Sequence, residues 1–286
     1  MKNKKRLLFI LLSVLFLFTP LFIQWVIWAD KALVCTEITV SSKSLPENFD
    51  GFRIAHISDL HNTEFGDGNQ ELLKMISDAK PDIIAITGDL IDSRETDLDI
   101  ALHFAQEAAK VAPCYYSVGN HEAVVEELPQ LEEGLKAAGV TVLRNEAVTL
   151  DRNGQTIQVI GLDDYMFFDG ELGSDCVNNM LIQLCWIQNQ GFNILLAHRP
   201  EFFHRIAGLN VELILSGHAH GGQIRLPLVG GLYGPDQGLF PKYDAGLFQS
   251  GESNMVVSRG LGNSQFPFRV NNRPEVVIIT LKKEKS

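Results

Sequence analysis

A chain of 286 residues, 45% of them hydrophobic and 21% charged, has the length and apolar content of one large folded domain, which excludes wholesale disorder. Its net charge of -11 argues against nucleic-acid binding, which calls for a basic face. A mean hydropathy of +0.05 is high for so acidic a protein, and one segment accounts for it.

That segment is the N-terminus. Lys2, Lys4, Lys5 and Arg6 precede an uncharged run from Leu7 to Ala29, interrupted only by Ser13, Thr19, Pro20 and Gln24. About 23 such residues can cross a hydrocarbon core of roughly 30 Å as a helix. Trp25 and Trp28 suit the far interface, and the four cations belong on the cytoplasmic side. The expectation is a single-pass anchor over residues 1–30 and a domain over 31–286 outside the cytoplasm, at the cell membrane. No A-x-A site precedes Asp30, and Val34 stands before Cys35 where a lipoprotein signal needs a small residue, so a retained anchor is preferred to a cleaved leader. Setting the four cations aside leaves -15 on the remainder, so anionic lipid does not hold the domain to a surface.

Beyond the anchor, strands and helices alternate. Residues 33–40 read as a strand, 52–58 as a buried strand, 69–79 as a helix and 82–87 as an apolar strand. A helix is expected over 95–111, a short strand over 114–118, a helix over 122–138 and a strand over 140–143. Residues 149–162 form an expected hairpin, with Asn153-Gly154 as a type I′ turn. A helix over 174–190 and strands over 193–197 and 211–216 follow; residues 245–281 read as β structure, with a strand pair around Gly251 and a last strand at 275–280. This rhythm predicts an α/β fold with a largely parallel, helix-covered sheet and an antiparallel sheet added late. Cys35, Cys114, Cys176 and Cys185 form no C-x-x-C pair and are expected as free thiols.

Polar residues gather at the carboxyl ends of the apolar strands, the edge at which α/β sheets bind ligands. Successive strands end in Asp59-Leu60-His61, Gly88-Asp89-Leu90-Ile91-Asp92, Gly119-Asn120-His121-Glu122, His198-Arg199-Pro200 and Gly217-His218-Ala219-His220-Gly221-Gly222. Carboxylate, amide and imidazole donors together suit Mn, Fe, Zn or a similar divalent ion. A single histidine at a strand end is ordinarily structural, but five of the eight histidines fall in these motifs. Seven donors exceed the needs of one ion and suit two that share a carboxylate.

The ordered set D-x-H, G-D-x-x-D, G-N-H-E, H and G-H-x-H resembles the calcineurin-like metallophosphoesterase superfamily. Ser58-Asp59-Leu60-His61-Asn62, the run from Gly217 to Gln223 and the tail Arg259-Gly260-Leu261-Gly262-Asn263-Ser264 resemble its bacterial membrane-associated phosphodiesterase branch. The resemblance implies a β-sandwich of mixed sheets flanked by helices. It also implies two divalent metal ions: one on Asp59, His61 and His220, the other on Asn120, His198 and His218, with Asp89 bridging. His121 would sit by the scissile phosphate, oriented by Asp92 through a carboxylate–imidazole bond. A hydroxide held between the ions would attack phosphorus, Asn120 would help neutralise the phosphate, and His121 would protonate or stabilise the leaving oxygen. The implied activity is phosphoester hydrolysis, of a diester rather than a monoester, the alternatives being a nucleotide or sugar-nucleotide pyrophosphatase and a non-enzymatic scaffold; the expected anchor, not the ligand set, points to a lipid-linked or cell-envelope substrate.

Among weaker signals, Arg199 and Arg259 are candidate phosphate contacts, as are Arg225 and Arg269. His56, inside an apolar strand, reads as a packed residue, and His103 and His204 match no motif. The Gly-, Pro- and aromatic-rich stretch 230–243 is expected as a loop near the last two ligands, serving as a packed element or as a lid or contact for a lipid or glycan.

Overall fold

The computed structural model describes residues 2–168 and 174–284. The N-terminal half runs α1 (Lys2–Lys31), β1 (Val34–Ser42), β2 (Arg53–Ile57), α2 (Gln70–Asp78), β3 (Ile83–Thr87), α3 (Leu98–Ala108), β4 (Cys114–Ser117), α4 (Leu128–Ala137), β5 (Thr141–Val142), β6 (Glu146–Arg152) and β7 (Gln155–Gly161). The second half runs α5 (Ser174–Ile187), β8 (Phe192–Leu196), α6 (Phe203–Ile206), β9 (Leu213–Ser216), β10 (Arg225–Leu226), β11 (Gly230–Gly231), β12 (Tyr233–Gly234), β13 (Gly238–Leu239), β14 (Gly246–Ser250), β15 (Ser253–Val257) and β16 (Glu275–Lys283).

These strands form two six-stranded mixed sheets, ordered β1-β16-β2-β3-β4-β5 and β14-β15-β9-β8-β7-β6. Strand and helix rhythm alone predicts one parallel sheet with a late antiparallel one. The chain instead starts a second sheet at the β6–β7 hairpin, where Asn153 and Gly154 both take positive φ, as a type I′ turn requires. The last strand, β16, returns to the first sheet between β1, to which it runs parallel, and β2, to which it runs antiparallel.

Period-2 patterning explains the layering. In β3, Ile84 and Ile86 face one core while Ile83 and Ala85 face another; in β16, Val276 and Ile278 oppose Val277, Ile279 and Leu281. Strands buried on both faces read as continuous apolar runs. The middle core joins the two sheets through residues such as Ile54, Tyr115 and Ile279 from the first and Val159, Ile194 and Leu215 from the second. The outer cores pack α2, α3 and α4 on the first sheet and α5 and α6 on the second. Among the described residues no cysteine forms a disulfide.

The helix α1 continues through Pro20, and Phe16, Phe18, Leu21, Phe22, Ile27 and Trp28 stand exposed on it. Among the described residues no helix is long and apolar enough to cross a membrane. Much of the expected span lies outside the residues whose side chains are described, which here are Phe9 and residues from 16 onward. The last turn of α1 is tied to the domain: Asp30 accepts from Asn263 Nδ2 at 2.9 Å and from the Arg269 backbone N–H at 3.1 Å, and Arg273 lies 5.2 Å from the Trp28 ring.

Ile279→Ala removes a side chain from between the sheets and is expected to cost about 2–5 kcal/mol in urea unfolding. A loss under about 1 kcal/mol would show that the interlayer core does not dominate stability.

Candidate metal centre

Five strand ends converge at one edge of the sandwich, three from the first sheet and two from the second. The turns that follow them are strained. Asp59, His61, Asn62, Asp89, His218 and His220 all take positive φ, between 44° and 62°. Each such non-glycine residue costs about 1–3 kcal/mol and persists only where the surroundings impose it. Here the turns impose it on one another: Asp59 N–H donates to Gly88 O at 3.1 Å, His61 N–H to Asp89 O at 3.1 Å, and His218 N–H to the Asp59 carboxylate at 3.1 Å. The approach is close enough to demand glycine at two points. A Cβ on Gly217 would stand 1.9 Å from Ser58 Oγ, and one on Gly119 would stand 2.2 Å from Asp89 Oδ1.

The result is three overlapping donor groups, each with ligand atoms within 4.8 Å of one another: Asp59, His61 and His220; His61, Asp89 and His121; and Asp89, His198 and His218; a fourth group, Glu201, His218 and Asp236, adjoins the third through His218. The first and third contain the histidines and aspartates expected for the two ions. Asp89 Oδ2 lies between them, 3.6 Å from His61 Nε2 and 3.1 Å from His198 Nε2. Asn120 borders the same cleft, of about 220 Å³, with Asp89, His121, His218 and His220.

Polar satisfaction tests whether cations fit. His198 donates Nδ1–H to the Thr87 carbonyl at 2.7 Å, which directs Nε2 into the cluster. Asn120 Oδ1 is buried without a hydrogen-bond partner, and His198 Nε2 faces Asp89 Oδ2 at 3.1 Å. Buried polar atoms are normally paired, and a ligating histidine normally anchors its second nitrogen in this way. Burial disfavours a charged His198, but the neighbouring Asp89 and Asp59 outweigh it and push its pKa up to about 10. Asp89 is held well below the carboxylate range despite its burial, chiefly by His198 and His61. The cluster therefore attracts positive charge, and its mixed oxygen and nitrogen donors fit divalent ions.

Other sequence expectations are redistributed. Asp92 does not orient His121 through a hydrogen bond: its Oδ1 stands 3.7 Å from His121 Nδ1, and its carboxylate is taken by Arg94. The Ser93 backbone N–H donates to Nδ1 instead, at 2.9 Å, because the turn after Asp92 brings the main chain closer than the side chain. Arg199 is buried and committed to Asp164, Glu201 and Asp236 rather than to the cleft. Arg259 is paired with Glu275 at 2.5 Å. Arg225 pairs with Asp244, and the fully buried Arg269 donates to main-chain oxygens of Arg259 and Gly262. His56 is a packed residue, with Nε2 2.9 Å from Thr87 Oγ1 and its pKa lowered to about 3 by burial. His204, on α6, bonds the Glu201 carbonyl, and His103 lies on α3, away from the cluster.

Two contributors were not assigned from the sequence. Arg94 lines the cleft. Glu122, fully buried, accepts from the backbone N–H groups of Asp89, Leu90 and Gly119 at 2.8–2.9 Å. Burial and Asp89 raise its pKa to about 7. Its place in the G-N-H-E motif was the available signal.

Fold and donor set together define a metallophosphoesterase. Residues 52–222 match the model of the calcineurin-like phosphoesterase family, and the chain belongs to that family. It is 35% identical over 254 residues to the metallophosphoesterase YkuE of Bacillus subtilis, covering 86% of this chain and 85% of that protein. It is 31% identical over 250 residues to the phosphodiesterase YaeI of Escherichia coli, covering 82% and 84%. A transmembrane protein with metallophosphoesterase domain from Danio rerio is 28% identical over 259 residues, covering 86% of this chain and 56% of that one.

Glu122→Gln replaces one acceptor oxygen by an NH2 group that opposes backbone donors. It is expected to lower the melting temperature and to weaken metal retention, read by elemental analysis after gel filtration. Unchanged values for both would show that Glu122 does not hold the Asp89 turn.

Proposed function

We propose that this chain is a phosphodiesterase with a binuclear metal centre, acting outside the cytoplasm on a substrate held at the membrane. The observation that carries the activity is Asp89 Oδ2, shared between two donor groups at 3.6 and 3.1 Å. The similarity to YaeI, named a phosphodiesterase, supports the diester preference.

The metal ligands would be Asp59, His61 and His220 for one ion and Asn120, His198 and His218 for the other, bridged by Asp89. When bound, two divalent ions supply Lewis acidity and the positive charge that lets an acidic protein accept a phosphate. The remaining work falls to the chain. Because the Ser93 N–H occupies His121 Nδ1, the neutral ring carries its hydrogen on Nε2. Burial lowers the pKa of His121, which favours this neutral form. His121 therefore acts as a hydrogen-bond donor to a phosphate or leaving oxygen rather than as a fully charged acid. Arg94 offsets charge at the cleft wall, which Ser264 and Gln265 also line.

Exposed apolar residues support a membrane-held substrate. Leu228, Val229, Leu239 and Phe240 project from the β10–β13 region, and Phe266 and Phe268 follow the cleft residues Ser264 and Gln265. Tyr233 meets Phe266 with ring centroids 6.3 Å apart, joining the two segments. The same 263–273 segment carries the contacts to the end of α1. An anchor in α1 would hold this rim near lipid.

His121→Ala is expected to keep both metals and lose about 10²–10³-fold in turnover of bis-p-nitrophenyl phosphate. Asp89→Asn is expected to lose metals and activity together, and full activity in that variant would sink the binuclear reading. The full chain is expected to stay in the membrane pellet after carbonate washing, whereas release into the supernatant would remove the anchor.

A further inference from the structure

Asp236 belongs to no motif read from the sequence, yet it reaches the centre. It occupies the turn of the β12–β13 hairpin with φ 56°, and its Oδ2 lies 3.0 Å from His218 Nε2. The hairpin holds it there. Gln237 donates Nε2–H to Tyr243 O and accepts from Tyr243 N–H, both at 3.0 Å, and Phe240 N–H donates to Leu232 O at 2.9 Å.

A second brace comes from Arg199. Its guanidinium is 6% exposed, donates to Asp164, lies 3.5 Å from Glu201 and sits 4.6 Å from the Tyr165 ring. From this fixed position Nη1 donates to Asp236, and it stands 3.1 Å from His218 Nε2. Arginine offers only donors. Were His218 Nε2 a bare acceptor for Arg199, its lone pair would face the Asp236 carboxylate at 3.0 Å and repel it. One Asp236 oxygen accepting from both Arg199 and His218 satisfies all three groups.

We propose that Asp236 is a positioning residue for the metal centre: it accepts Nε2–H from His218, fixes that tautomer, and leaves Nδ1 as the donor atom toward the position shared with Asp89 and His198, while Arg199 clamps Asp236 in place. This inference rests on the two-metal reading above. It also gives the buried Arg199 a role that contact with phosphate does not. Carboxylate partners on ligating histidines orient the ring and raise its basicity, and their loss typically weakens metal binding by about 10–100-fold.

The test uses the full chain in detergent. Calorimetric titration of the parent, Asp236→Ala and Asp236→Asn with zinc reads each site separately. Asp236→Ala is expected to hold one ion at parental affinity and the other about 10–100-fold more weakly. Asp236→Asn keeps an acceptor oxygen and is expected to recover most of that loss, and the metal-free melting temperature of Asp236→Ala is expected to match the parent. Long-range 1H–15N correlation of histidine-labelled protein is expected to show His218 with its hydrogen on Nε2 in the parent and a mixture of tautomers in Asp236→Ala. Both ions bound at parental affinity in Asp236→Ala, or a parent His218 with its hydrogen on Nδ1, would overturn the proposal. A parent binding fewer than two ions would overturn the two-metal reading instead, and the tautomer measurement, made without metal, would still decide the role of Asp236.

Discussion

Asp59 and Asp89 are both fully buried, and the charge on Asp89 disfavours ionisation of Asp59. Removing a carboxylate from water is costly unless compensating charge and hydrogen bonds surround it. The two sheets meet this demand jointly. His61 comes from the turn after β2, His198 and His220 from the turns after β8 and β9, and the His218 backbone N–H crosses from the second sheet to the Asp59 carboxylate. Both acids belong to the first sheet, while His198, His220 and the His218 N–H come from the second, so the site depends on the pairing of the two sheets.

Glu122 is a third acid in the same region, handled differently. Three backbone N–H groups converge on its carboxylate, so it is satisfied by fixed dipoles rather than by histidines. That places it behind the Asp89 turn, where it shapes the backbone without competing for a cation. Buried acids gathered in one region thus divide between holding charge and holding geometry, according to which partners the main chain presents.

Local sequence made the strand-end residues legible because each candidate ligand lies within five residues of an apolar run, and strand direction alone sends those residues to one edge. The division into two sheets was less legible, because a strand buried on both faces, such as β3 or β8, reads the same in either sheet. Long-range partners were not legible at all. Arg199 carries the charge expected of a phosphate contact, and only the fold places Asp164, Glu201 and Asp236 around it. Asp92 lies at the spacing of an orienting carboxylate, but Arg94, two residues on, captures it and leaves the main chain of Ser93 to fix His121. A local ion pair outcompeting a motif role is invisible to a pattern that reads one position at a time.

The same reasoning bears on the N-terminal helix. Asp30 closes α1 with contacts to Asn263 and Arg269, while Arg273 donates to the carbonyls of Ala32 and Leu33. Asn263 and Arg269 flank Ser264 and Gln265, which wall the cleft. Arg269 also reaches within 3.4 Å of His220 Nδ1. The end of α1 is therefore two contacts from a candidate ligand and is joined to one wall of the cleft by hydrogen bonds. A helix tethered by a flexible linker would fix only the distance of the domain from a membrane. Under the anchor proposed above, one bolted to the cleft wall through Asp30 would also fix its orientation, so the direction in which the cleft opens would be set by the same contacts that shape it.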